Sequence, residues 1–173
     1  MSPIETPHAM NPAANPARST AANVAAGGAM PLARYAAYRR AGDFLFLSGV
    51  IAVNPAANLI VKGFGDIPSE AAERIGRTGE FSADIKHGPV LAQSWYVLDS
   101  IRRIVEGAGG QMRDVFKLVQ YFRNLDHFPL YNQVRKQFFP DDPPASTVVE
   151  VSAMLPTPDI LIEVEATAWL PQR

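Results

Sequence analysis

The chain has 173 residues, 47% of them hydrophobic and 19% charged, with a formal net charge of −1. That length favours one domain with one core, and the composition fits a globular protein. There is no basic surplus to hold nucleic acid or an anionic bilayer, and no apolar run reaches the roughly 18 residues of a membrane helix. Cysteine is absent, which removes disulfides, thiolate nucleophiles and cysteine-based zinc sites together and suits a reducing, cytoplasmic setting.

Residues 1–30 are rich in Ala, Pro and Asn and contain no aromatic residue. They lack the basic start and apolar block of a secretory signal, and read as an arm outside the core. The globular pattern runs from residue 31 to residue 173. Ala36 to Arg40 fits a short strand, and Phe44-Leu45-Phe46-Leu47 a buried one that closes at Ser48-Gly49. Asn54-Pro55 marks a turn, after which Leu59-Ile60-Val61 returns as a partner strand. Residues 62–86 carry several glycines, mixed charge and no clean period, and read as an insertion, a lid or a partner contact, with helical turns over Ser69 to Ile75.

His87-Gly88-Pro89 has the form of a helix start. Leu91, Ser94, Leu98, Ile101 and Val105 then recur at spacings of three and four as one buried face, and the glycines of 107–110 stop the helix. A strand is expected over Val115 to Phe122. A second helix follows, capped at Asp126, with Leu130, Val134 and Phe138 on one side. Two final strands cover Thr147 to Val151 and Ile160 to Trp169. This order predicts an α+β fold, one sheet with two helices on one face. The second face must then be hidden, with Val148, Ile160, Ile162 and Val164 as the apolar candidates, and association of several copies is a natural way to hide it.

Four segments, in this order over residues 42–166, resemble the RidA/YjgF family. The first is Gly42-Asp43-Phe44-Leu45-Phe46-Leu47-Ser48-Gly49 with Val53-Asn54-Pro55. The second is Leu98-Asp99-Ser100-Ile101 through Glu106-Gly107-Ala108-Gly109. The third joins Asp114-Val115-Phe116-Lys117 to Asn124-Leu125-Asp126-His127-Phe128, Tyr131-Asn132 and Phe138-Phe139-Pro140. The last pairs Pro144-Ala145-Ser146-Thr147 with Glu163-Val164-Glu165-Ala166. The resemblance implies a chorismate-mutase-like fold with one mixed sheet. It implies a homotrimer around a central β-barrel, with a small-molecule cleft between each pair of subunits. It also implies hydrolysis of enamines and imines, formed from amino acids, to 2-keto acids and ammonia without a cofactor. The arm and the segment at about 62–86 are absent from short family members.

By the same resemblance, Glu163 orients the attacking water and Tyr35 closes over the ligand. Asn132 stands at the family's asparagine position, where it can bond backbone near the cleft, and Ser48 and Gly49 bring backbone to the ligand; apart from the resemblance, Tyr121 is a candidate to line the cleft. The residues alone admit plainer roles: a solvated strand acid for Glu163, a rim residue for Tyr35, a structural amide for Asn132 and a sheet-face ring for Tyr121. Alternation puts Glu163 and Glu165 on one face, opposite Ile162 and Val164. Ser146 departs from the family, which carries there an arginine that clamps a carboxylate in bidentate fashion. Its hydroxyl and the Thr147 N–H are left to hold the substrate's polar end, unless Arg34, Arg39, Arg123 or Arg135 takes the place. His8, His87 and His127 show no metal-ligand spacing, and no phosphate loop is present. Two functions follow as expectations: a Rid-like hydrolase of C=N bonds, or a non-catalytic small-molecule sensor on the same scaffold.

Overall fold

The computed structural model describes residues 35–171; the expected arm at 1–30, with His8, and Arg34 lie outside the described residues. Strands β1 (Tyr38–Ala41) and β2 (Phe44–Leu47) form a hairpin whose turn places Gly42 at φ 57, a left-handed conformation open to glycine. Strand β3 (Val50–Ile51) comes next, then β4 (Val53–Asn54) and β5 (Leu59–Ile60), which pair only with each other in a small separate sheet. So Leu59 and Ile60 do return, but outside the main sheet.

Ser69–Ile75 form helix α1, and the long helix α2 spans Phe81–Gly107. Strand β6 (Val115–Phe122), helix α3 (Phe128–Phe138), strand β7 (Ala145–Glu150) and strand β8 (Ile162–Trp169) complete the chain. The main sheet runs β1-β2-β8-β6-β7, with β3 also against β8. Only β6 and β7 are parallel, joined over one face by α3, so the sheet is mixed and the fold α+β. No helix among the described residues is long and apolar enough to cross a membrane.

Helix α2 starts six residues before the expected His87, and Pro89 lies inside it. The Asp84 carboxylate explains the early start: it accepts the Thr78 and Gly79 N–H groups at 2.9 Å each, tying the preceding turn to the helix's first turn. Pro89 forgoes one bond, to the carbonyl of Ile85, and Ile85 is exposed, so water can serve that carbonyl. The predicted face of Leu91, Ser94, Leu98, Ile101 and Val105 is buried in full. Helix α3 is preceded by a 3₁₀ turn over Leu125–His127, capped by the Asn124 side chain, which accepts the Asp126 N–H at 2.8 Å; Asp126 is not the cap.

Helix α1 belongs to the helical layer. Ala71, Ala72 and Ile75 are buried, and the α3 amides of Gln133 and Gln137 donate to the Ile75 and Arg74 carbonyls at 3.0 and 2.8 Å.

The expected covering of the second face needs correction. Ile162, Val164, Ala166 and Ala168 point into the helix-covered core with Leu45, Leu118 and Phe122, Val148 packs against that core, and Ile160 is buried. Strand alternation then turns Glu163, Glu165, Thr167 and Trp169 to the open face. There they join the aromatic residues Phe44 and Phe46, which with Trp169 are 44%, 49% and 52% exposed.

Candidate active site

Strand β3 lies beside β8, with Ile51 opposite Glu163 and Val50 opposite Val164. Gly49, just before β3, sits directly under the Glu163 side chain: a Cβ built there collides with Glu163 Oε1. A side chain at 49 and a carboxylate at 163 cannot share this space as it stands. Glu163 faces a cleft of about 500 Å³ lined by Tyr35, Ser48, Gly49, Ile51, Leu155, Pro156 and itself.

Ser48 is fixed at the cleft's edge. Its hydroxyl donates to the Ala36 carbonyl at 2.7 Å and its N–H to the Ala37 carbonyl at 3.0 Å. The spent proton leaves the oxygen lone pairs as acceptors. Tyr35 stands partly exposed on the same wall. Burial pushes the Glu163 carboxyl above its usual range, and the Glu165 charge on the same face pushes it further. A raised carboxyl pKa brings the group nearer the range in which an acid can also act as a base.

Tyr121 lies opposite Glu163 in the β6–β8 register. Its hydroxyl donates to Glu165 Oε1 at 3.2 Å, so it serves the neighbouring acid. Desolvation first, then the Glu165 and Glu163 charges, hold its phenol protonated.

The remaining predicted residues sit elsewhere. Thr147, on the open face of edge strand β7, accepts from Lys117 Nζ at 2.6 Å. Ser146 points to the other face, where its hydroxyl donates to Gln120 Oε1 at 2.9 Å and accepts from Arg135 Nη1 at 3.1 Å. Asn132, on α3, has a buried side-chain oxygen without a hydrogen-bond partner. One chain therefore brings Tyr35, Ser48, Gly49 and Glu163 together, keeps Tyr121 adjacent, and holds Ser146, Thr147 and Asn132 apart from them.

Of the candidate arginines, Arg135 reaches Ser146, Arg123 donates to the Ser152 carbonyl, and Arg39 lies on β1 at the opposite edge of the sheet. Ile51, Leu155 and Pro156 were not anticipated. Ile51 was legible as the strand position after Gly49 and Val50, whereas the loop carrying Leu155 and Pro156 had no pattern to mark it. Among the described residues, no three His, Asp or Glu side chains gather as a metal site.

A family profile described as Endoribonuclease L-PSP matches residues 27–170. A RutC family protein of Pyrococcus horikoshii is 33% identical over 139 residues, covering 80% of this chain and 89% of its own. A protein of Acinetobacter baylyi named 3-aminoacrylate deaminase RutC is 37% identical over 86 residues, 49% of this chain and 67% of its own. Among solved structures, a Klebsiella pneumoniae protein provisionally described as an endoribonuclease is 69% identical, covers 79% of this chain and 100% of its own, and has a TM-score of 0.78. RidA from a Psychrobacter species, 22% identical over 80% of this chain and 90% of its own, shares the fold at a TM-score of 0.61. The order of strands and helices and these matches agree: the chain belongs to the Endoribonuclease L-PSP family, which is the RidA/YjgF family.

Proposed function

We propose that the protein is a Rid-type, cofactor-free hydrolase of small imines or enamines, releasing ammonia. The observation that carries this reading is the half-buried Glu163 carboxylate, seated on Gly49 and facing a cleft with Ser48 and Tyr35. An imine carbon is already electrophilic, so the reaction needs a placed water and a proton acceptor. Glu163 takes a proton from water as its oxygen bonds to the imine carbon, and the C=N electron pair moves to nitrogen. The resulting carbinolamine is protonated on nitrogen by Glu163. Glu163, again a carboxylate, then takes the hydroxyl proton and delivers it to the nitrogen as the C–N bond breaks, giving a carbonyl and ammonia and restoring the carboxylate. An enamine enters after protonation at carbon, which makes it the same imine.

The working unit is a homotrimer whose open sheet faces meet around a centre, with clefts between subunits. The exposed Phe44, Phe46 and Trp169 support such an association, since single domains rarely leave a cluster of that kind in water. Residues 31–173 act as one domain with an insertion at about 62–86, and the lack of cysteine suits a cytoplasmic setting.

A second reading, a small-molecule sensor, is favoured by one observation: the Ser146 hydroxyl already has two partners in its own chain, Gln120 and Arg135. The purified protein, mixed with an amino-acid oxidase that generates imines, separates the two. Faster ammonia release supports the hydrolase. Thermal stabilisation by the product 2-oxo acid with no change in ammonia release supports the sensor and overturns the hydrolase.

A further inference from the structure

Two walls of the Glu163 cleft are joined, through the main chain, at one buried amide. Gln93 lies on α2 and is buried in the core. Its Nε2 donates to the Val61 carbonyl at 2.9 Å and to the Asp159 carbonyl at 2.8 Å, and its Oε1 accepts the Leu161 N–H at 2.9 Å. Both amide protons and the oxygen are in use, and all three partners are main-chain groups.

These partners belong to different walls. The Val61 N–H donates to the Ala52 carbonyl at 2.9 Å, and Ala52 follows Ile51, which lines the cleft. Asp159 and Leu161 close the loop of residues 151–161, between β7 and β8, which carries Leu155 and Pro156 into the other wall. Leu155 is 83% exposed, so its own packing does little to hold it, and its place depends on the backbone around it. Arg123 fixes the near limb of the loop at the Ser152 carbonyl, and Gln93 fixes the far limb at Asp159 and Leu161. A turn stiffens the stretch between: Thr157 Oγ1 accepts the Asp159 N–H at 3.1 Å, and the Thr157 carbonyl accepts the Ile160 N–H at 3.2 Å. Lys62 and Asp159 also pair at 2.9 Å across this junction, but both side chains are more than half exposed and such a pair adds little. The Asp66 carboxylate accepts the Lys62 and Gly63 N–H groups at 2.7 and 3.2 Å, which fixes the start of the 62–86 insertion where the loop meets it.

We infer that Gln93 is a positioning residue that sets the spacing between the Ile51 wall and the Leu155–Pro156 wall, and with it the fit of the substrate's side chain. It does not line the cleft; it acts through the main chain of both walls. A fully paired buried amide makes a stiff link, because breaking any of its bonds strands a polar group away from water. The first residues of the insertion then brace the cleft from behind the loop. The kinetic half of the test rests on the hydrolase reading, and the structural half does not.

The test compares the full-length wild type with Gln93→Met, which has similar length and no amide. Hydrogen exchange, followed by mass spectrometry, is expected to quicken over residues 157–161 by at least about tenfold and to stay unchanged over β6. Imines from leucine and from alanine are then supplied together by an amino-acid oxidase, and the ratio of the two enzyme-dependent rates is read, with uncatalysed hydrolysis subtracted. The leucine-to-alanine ratio is expected to fall at least about fivefold in Gln93→Met, a modest loss beside what apolar fit commands. A ratio does not depend on how much of the variant is folded, so lost stability alone leaves it unmoved. Gln93→Glu keeps the acceptor for Leu161 and loses both donors; it is expected to fall between, and gives the same readings if methionine disturbs folding. Lys62→Met removes only the exposed ion pair and is expected to leave exchange and ratio as in the wild type. Unchanged exchange in Gln93→Met, quickened exchange with an unchanged ratio, or an equal effect of Lys62→Met overturns the assignment. Should the wild type accelerate neither imine, the hydrolase reading fails, and the role of Gln93 is decided by the exchange measurement alone.

Discussion

A carboxyl group half out of water and beside a second acid holds its proton to higher pH than a free one, and Glu163 is so placed. As a proton acceptor it must be ionised. The rate of ammonia release is therefore expected to fall as pH drops through the raised pKa, with the acid limb above the ordinary glutamate range. Glu165→Gln removes the neighbouring charge and is expected to move that limb to lower pH in a pH–rate profile; an unmoved limb contradicts the pairing. The stability effect has the opposite sign. Because the folded pKa is raised, the folded state binds this proton more tightly than the unfolded state, so the group favours folding at low pH. That contribution is lost as pH rises through the folded pKa. Gly49 makes a sharper case. Gly49→Ala drives a methyl group into Glu163 Oε1 and must displace the carboxylate. Turnover is expected to fall about a hundredfold, the scale of a 1 Å misplacement, and an unchanged kcat would show that the carboxylate is not held there for catalysis.

Among the elements, β6 over Val115–Phe122 and the buried face of α2 were legible because each carries one strong period. The start of α2 was not: Pro89 resembles a first-turn proline, and the real start depends on Asp84 folding back onto Thr78 and Gly79. That bond joins side chain to backbone and leaves no hydrophobic period to read. The Gly49–Glu163 contact was reachable only through the resemblance, because it joins residues far apart in sequence. Arg135 could be named as one candidate of four but not placed, since its meeting with Ser146 depends on how α3 settles against β7. The α2 seam is also where stability should concentrate. Leu98 is fully buried in it, and Leu98→Ala is expected to cost roughly 2–5 kcal/mol, read as a lower denaturant midpoint; a loss under 1 kcal/mol, within the range of ordinary surface changes, would mean that this helix face is not the core.

At the scale of the whole molecule, the polar groups named for the site leave one sheet in two directions. Tyr35, Ser48 and Glu163 share a cleft on the open side, while Ser146 and Arg135 meet at the β7 edge on the other. The proposed homotrimer would bring such halves of different copies together. Light scattering on the purified protein is then expected to give about three times the 18.8 kDa of one chain. The mass of a single chain would contradict the association read from the exposed Phe44, Phe46 and Trp169. Under the proposed function, the Glu163 carboxylate handles the water proton. Its most direct measurement is the initial rate of ammonia release by Glu163→Gln from an oxidase-generated 2-imino acid, with circular dichroism and elution volume matched to wild type. A loss of at least about a hundredfold, the scale of a missing general base, is the predicted result, and a rate within twofold of wild type would contradict it.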